Sequence, residues 1–246
     1  MFRSNAYNLL WIISGGVIAL LMFLPLKWVG PHIVPATMTT SKIQYTGTIW
    51  KGQISGLTDL DQVTYTLKPL NVLFANLPLT FLAVDKGLNV RGKAGRSRAK
   101  DILFKINISD LPLPDPRLRG LAGLATARID TVVWDKSGSC EDIKGTAQSN
   151  VLTQNRSLFN WSGPVISGPV SCGANGAYVF SLSGRDNTQI IEARISISAQ
   201  GSYSSDITVT TQDQNASMAL PLFGFEEKQA TIEGRQFVLI EQGRWQ

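Results

Sequence analysis

From Ile191 to Gln200 every second residue is apolar: Ile191, Ala193, Ile195, Ile197 and Ala199 alternate with Glu192, Arg194, Ser196, Ser198 and Gln200. A helix cannot gather those five on one side, because its faces repeat every ~3.6 residues. A strand does so at its natural period of two. The same rhythm marks Gln62–Lys68 (Val63, Tyr65, Leu67) and Asp101–Ser109 (Ile102, Phe104, Ile106, Ile108), and it continues at Tyr203, Ile207 and Val209. Each stretch predicts a strand with one dry and one wet face, the habit of antiparallel sheets. Further strands are expected at Ile43–Trp50, Leu79–Val84, Leu88–Lys93, Ala127–Trp134, Ile143–Leu152, Ala177–Ser183 and Gln236–Glu241. Turn formers separate them, as at Asp85-Lys86-Gly87 and Ser183-Gly184-Arg185-Asp186-Asn187.

Helix is scarce. The one candidate in this body is Pro116–Ala125, where Leu118, Leu121 and Leu124 fall about one turn apart and two glycines weaken the pattern. With LPLPDP before it, the stretch 111–126 reads as a midpoint between two β-rich halves. A faint echo links GTIWKGQISGL, from Gly47, to GTAQSNVL, from Gly145; both look like one strand followed by another. The expected fold is mainly β: a curved antiparallel sheet forming a sandwich, a roll or an open groove.

One segment breaks the strand pattern. Leu9–Leu26 is an uncharged, nearly all-apolar run of 18 residues. As a helix it would reach roughly 27 Å, enough to cross a bilayer core. Tyr7 and Trp11 stand near one end and Trp28 at the other, where interfacial aromatics belong. A cleaved signal peptide is the competing reading. The run is long for that, and KWVGPHIVPATM after it offers no small-x-small cleavage site. A single N-terminal transmembrane helix is expected at 9–26. A short cytoplasmic tail (1–8) would precede it, and a Pro-containing linker (27–40) would lead to a periplasmic β-rich domain (41–246). Positive charge is nearly balanced across the run, Arg3 against Lys27, so orientation rests on the short tail and on the cysteine pair of the large domain.

Cys140 and Cys172 are the only cysteines, in the turn-like contexts GSCED and VSCGANG. No second pair completes a zinc site, and His32, the sole histidine, lies close to the apolar run. The pair reads as one disulfide in an oxidising compartment, with free thiols as the alternative. Closing that loop would contribute about 3.7 kcal/mol on the chain-entropy view. A bacterial periplasm is the simplest such compartment.

Function classes narrow by elimination. There is no nucleophile elbow, P-loop, zincin or dinucleotide motif. The carboxylate pairs Asp59/Asp61, Glu141/Asp142 and Glu226/Glu227 read as solvated surface. No catalytic residue, cofactor or metal is expected. A net charge of +5 in a chain with few charges is too weak to argue for nucleic acid. One cluster stands out: Arg91, Lys93, Arg96, Arg98 and Lys100 fall within ten residues with no acid among them. It reads as a solvated hairpin that keeps a sheet edge soluble, or as a patch for an acidic partner or lipid head groups.

At Gly47-Thr48-Ile49-Trp50-Lys51-Gly52, between the apolar run and an alternating strand, the chain resembles the type II secretion system protein N family. The resemblance extends to the β body and to a later cysteine pair at Cys140 and Cys172. It implies a non-enzymatic component of the inner membrane of Gram-negative bacteria. Such a protein would support export of folded proteins through periplasmic contacts with other secretion subunits. Trp50 itself reads as a core aromatic on an early strand. A second class also fits the outline: an anchored periplasmic protein that handles lipid in an open apolar β-groove. An open dry face would favour lipid handling, and a covered one a scaffold.

Overall fold

The computed structural model describes residues 23–33, 39–57, 60–69, 71, 77–111, 120–156 and 160–244. The apolar run lies outside them up to Met22. Its last residues form a turn at Phe23, an isolated bridge from Pro25 to Thr48, and the start of helix α1 (Leu26–Ile33). Among the described residues no helix is long and apolar enough to cross a membrane.

The described fold is mainly β, with fourteen strands, each antiparallel to its sheet neighbours. The chain divides into two compact units between Asp85 and Lys86. Residues 112–119, within the expected midpoint, lie outside the description.

The first unit holds β1 (Thr39–Gly47), β2 (Lys51–Leu57), β3 (Gln62–Leu67) and β4 (Leu79–Asp85) in chain order. Here the GTIWKG hexapeptide acquires a physical account. Gly47 ends β1 at φ +89°, in the left-handed region, with the Lys51 carbonyl where a Cβ would go. The Thr48 hydroxyl accepts the Trp50 and Lys51 amides, both at 3.3 Å, and the Thr48 amide donates to the Lys51 carbonyl at 2.9 Å. The Trp50 carbonyl accepts the Leu67 amide at 2.6 Å. Gly52 leaves room for α1: a Cβ there would sit 2.8 Å from Leu26 Cδ2 and 2.9 Å from the Tyr65 hydroxyl. Tyr65 donates to the Thr48 carbonyl at 3.0 Å, and burial pushes its phenol pKa up. Trp50 is therefore a half-buried turn residue, not the strand-borne core aromatic expected from sequence.

The second unit holds β5 (Leu88–Ala94), β6 (Arg98–Asn107), β7 (Leu124–Trp134), β8 (Cys140–Ser149), β9 (Ile166–Cys172), β10 (Tyr178–Arg185), β11 (Gln189–Ile197) and β12 (Ser202–Thr211) in chain order. The last two strands reverse: β14 (Gly234–Arg244) pairs with β12, and β13 (Glu226–Thr231) lies outside it. This order is that of an open antiparallel sheet. Gly145 lies within β8, whereas Gly47 ends a strand, so the two Gly-Thr segments are not equivalent. Leu124 and Ala125 belong to β7 and Gly120–Gly123 are not helical, so the described end of the Pro116–Ala125 helix candidate is a strand entry. Tertiary pairing with β6 and β8 overrides a weak local helix signal there.

The reversal at β12–β14 matters for the core. The connection from β12 to β13 carries helix α3 (Gln214–Ala219) and a 3-10 turn (Leu220–Phe223), with the shorter helix α2 (Val151–Gln154) found after β8. Asp213 caps α3 by accepting the Asn215 amide at 2.7 Å and the Ala216 amide at 3.2 Å. Ala216 and Leu220 then pack with Trp161 onto Ile166, Ile191, Val209 and Phe237 of the sheet, and Leu152 from α2 joins them. Trp161 is held there by its indole N–H donating to Gln189 at 2.8 Å, while Gln189 donates to the Ser162 carbonyl and the Asp186 carboxylate. A second cluster is different: Ala99, Ile102, Ile129, Val132, Ala147 and Val170, with the aromatics of β6, β7 and β10 against them, all come from sheet strands.

Candidate interaction surface

The predicted basic residues meet on the β5–β6 hairpin. Its turn closes with the Gly95 amide donating to the Arg98 carbonyl at 2.8 Å. The ladder slips between the pairs Arg91↔Leu103 and Lys93↔Lys100, so Asp101 and Ile102 together face Gly92. Such a bulge places one residue off the regular pleat. Asp101 takes φ +54°, an uncommon conformation that Asp tolerates better than most residues. The slip also sets Lys93 directly opposite Lys100, a like-charge pair that by itself opposes the ladder. Asp101 offsets it: Lys93 Nζ donates to its carboxylate at 2.7 Å. That hydrogen bond, then the charges of Lys93, Lys100 and Arg128, holds the Asp101 carboxyl below the usual carboxylate range. The pair is exposed on both sides, so solvent screens it.

Arg91, Lys93, Arg96, Arg98 and Lys100 are all exposed, while Gly92, Ala99 and Ile102 turn inward. The structure adds Lys105 from β6, Arg128 from β7 and Lys144 from β8, all exposed. Lys100 faces Thr131, which faces Lys144, and Leu103 stands between Arg91 and Arg128. These three later bases carry no clustering signal in the sequence. Their only mark is that each occupies a wet position in an alternating strand. Asp101, which directly succeeds Lys100 in the chain, and Asp130, 3.5 Å from Arg128, temper the cluster.

Cys140 and Cys172 are bonded, with Cα atoms 5.4 Å apart. Their sequence contexts suggest turns for both. Instead Cys140 is buried at the start of β8 and Cys172 is half-buried at the end of β9. The β8–β9 ladder runs from Ser149↔Ile166 to Gly145↔Val170, and the disulfide ties the strands beyond its last pair. Neighbouring turns reinforce this corner. The Cys140 amide donates to the Gly176 carbonyl at 2.7 Å, and the Tyr178 hydroxyl donates to the Gly138 carbonyl at 2.9 Å. Asp135 accepts the Ser137 hydroxyl at 2.6 Å and the Ser137 and Ser139 amides at 2.8 and 2.9 Å. Those bonds hold its pKa low, the Ser137 hydroxyl foremost.

The carboxylate pairs lie on the surface where described: Asp61, Glu141, Asp142, Glu226 and Glu227 are exposed, and Asp59 is outside the description. Glu227 is bound by Arg235, whose Nε donates to it at 2.7 Å. Among the described residues no group of three or more His, Cys, Asp or Glu could hold a metal ion.

A family model described as type II secretion system (T2SS), protein N, matches residues 43–232, well over half of the chain. The chain belongs to that family and is a type II secretion component. No curated protein and no solved structure matches it significantly.

Proposed function

We propose that this chain is a non-enzymatic accessory subunit of the type II secretion system, working through contacts with other subunits in the bacterial periplasm. The apolar run from Leu9, whose described end from Phe23 to Leu26 packs with the first β unit, tethers it to the inner membrane in a single pass, residues 1–8 stay in the cytoplasm, and the β body stands on the far side. The observation that carries the reading is the family match from residue 43 to residue 232, which takes in most of both β units. The disulfide between Cys140 and Cys172 supports an oxidising compartment. Crosslinking in the cell, with identification of the captured molecules, tests it. Recovery of secretion subunits is the expected result; their absence, with the chain present and folded, would count against the reading.

One observation favours a second reading. The buried cluster of Ala99, Ile102, Ile129, Val132, Ala147 and Val170 is built from the sheet's own side chains, and neither α3 nor the 3-10 turn contributes to it. An apolar face of that kind suits lipid handling. Capture of lipid in place of secretion subunits in the same crosslinking experiment would select it.

A further inference from the structure

Charge is distributed unevenly over the second unit. Strands β5–β8 carry seven lysines and arginines against four acids, whereas β9–β14 carry five against five. All seven bases are exposed. Antiparallel register sets them in rows across neighbouring strands: Lys93, Lys100 and Lys144 on one, Arg91 and Arg128 on the next. At roughly 4.8 Å between strands, the first row extends about 15 Å and the second about 10 Å.

We propose that this wet face of β5–β8 binds a membrane surface bearing anionic phospholipid head groups. The residue types argue for head groups over an acidic protein. The centres of protein interfaces are depleted in lysine and depend on buried aromatic or apolar anchors. Here Lys93, Lys100, Lys105 and Lys144 supply more than half of the charge. The apolar positions among them, Leu103 and Val133, are half-buried and present no aromatic. A charged leaflet instead attracts Lys and Arg alike, provided they lie within a Debye length, about 10 Å, of its plane. One face of a sheet meets that condition without any induced fit, since alternation sends every second side chain to the same side. Asp101 and Asp130 stand beside Lys93 and Arg128 and reduce the field, yet the bases keep their majority. The inference adds a surface to the secretion reading and does not depend on which subunits the chain meets.

The test uses the full chain held in neutral phosphatidylcholine nanodiscs, so that its apolar N-terminal run is already accommodated. These are mixed with separate vesicles of phosphatidylcholine, with or without phosphatidylglycerol, and floated on a density gradient. Association with the phosphatidylglycerol vesicles alone, lost at high salt, is expected. Each base near an anionic leaflet contributes roughly fivefold in affinity. Lys100→Glu, Arg128→Glu and Lys144→Glu combined should therefore weaken association at least about a hundredfold, with thermal unfolding unchanged. Should the combination misfold, Lys144→Glu alone should weaken it about fivefold or more. Arg194→Glu, on the balanced half, should leave it intact. No association with phosphatidylglycerol vesicles, equal association with neutral ones, or undiminished association of a folded charge-reversed variant would overturn the proposal. Because no other subunit is present, that failure would leave the secretion reading standing.

Discussion

The two halves of the second unit are built from the same alternating strands, yet they differ in what lies on each face. At Ile166, Ile191, Val209 and Phe237, in β9, β11, β12 and β14, the dry face is roofed: α3, the 3-10 turn and Trp161 complete a cluster in which Phe237 and Ala216 are fully buried. Over β5–β8 the dry side chains pack against others of the sheet, and the wet face carries an excess of positive charge. The roofed half has balanced charge and the sheet-only half does not. The most deeply buried side chains thus lie where a second layer covers the sheet. Burial against a roof removes more apolar area per side chain than contact within one layer, so the two halves should respond differently to the same kind of damage.

The largest effect is expected in the roofed half. Phe237→Ala should cost about 3–5 kcal/mol in chemical denaturation, because it opens a cavity beneath α3. Ile102→Ala, from the sheet-only cluster, should fall near the low end for such truncations, about 2 kcal/mol. A larger loss from Ile102→Ala would break the comparison.

Next comes the disulfide, which ties β8 to β9 where their ladder ends. Cys140→Ser should cost about 2–4 kcal/mol. Amide exchange should rise most in β7–β9, with protection in β12 and β14 retained. Uniform loss of protection would mean that the corner holds the whole unit and not the sheet-only half.

The third expectation concerns acid. Asp186 anchors the network that holds Trp161 in the roof. Burial alone would raise its pKa, but hydrogen bonds from the Thr188 amide and hydroxyl and from Gln189 outweigh this and hold it low. A depressed carboxylate pKa contributes stability that is fully present above the unfolded value, about 3.9, and is lost as pH falls through the lower folded value. Unfolding temperature should therefore drop below about pH 4, with a shallower acid slope in Asp186→Asn. An unchanged slope would remove Asp186 from the roof's support.

The smallest effect is expected on the wet side of β5–β8. Arg96→Ala and Arg98→Ala should each change stability by no more than about 0.5 kcal/mol in thermal unfolding, as surface substitutions usually do. A large loss would mean that the charged face serves the fold, not recognition.

Much of this contrast is legible in the order of the residues. Alternation marks most strands, and β11, from Gln189 to Ile197, lies within two or three residues of its predicted bounds. The exceptions share a cause. Strand β9 carries Gly168 and Pro169, and β13 is exposed at every position, so neither displays an apolar rhythm. The expected strand Ile143–Leu152 stops at Ser149, after which Val151 and Leu152 enter α2 and Leu152 joins the roof. Helix α3 has an Asp cap but only six residues, too short for an amphipathic period to register. Of the basic face, the contiguous five are legible because they are neighbours in the chain. Lys105, Arg128 and Lys144 are not, because only strand pairing brings them alongside.

By itself the sequence determined most of the strands, which side of those is dry, and the family whose hexapeptide lies early in the β body. These rest on local rules: side-chain alternation has a period of two, and a Gly-Thr turn is closed by residues a few positions apart. Tertiary structure alone decided the bulge that sets Lys93 against Lys100, the insertion of β14 between β12 and β13, and the roof that this insertion carries over one half of the dry face. Each depends on register and on contacts between residues distant in the chain, whose free energy appears only when the strands pair.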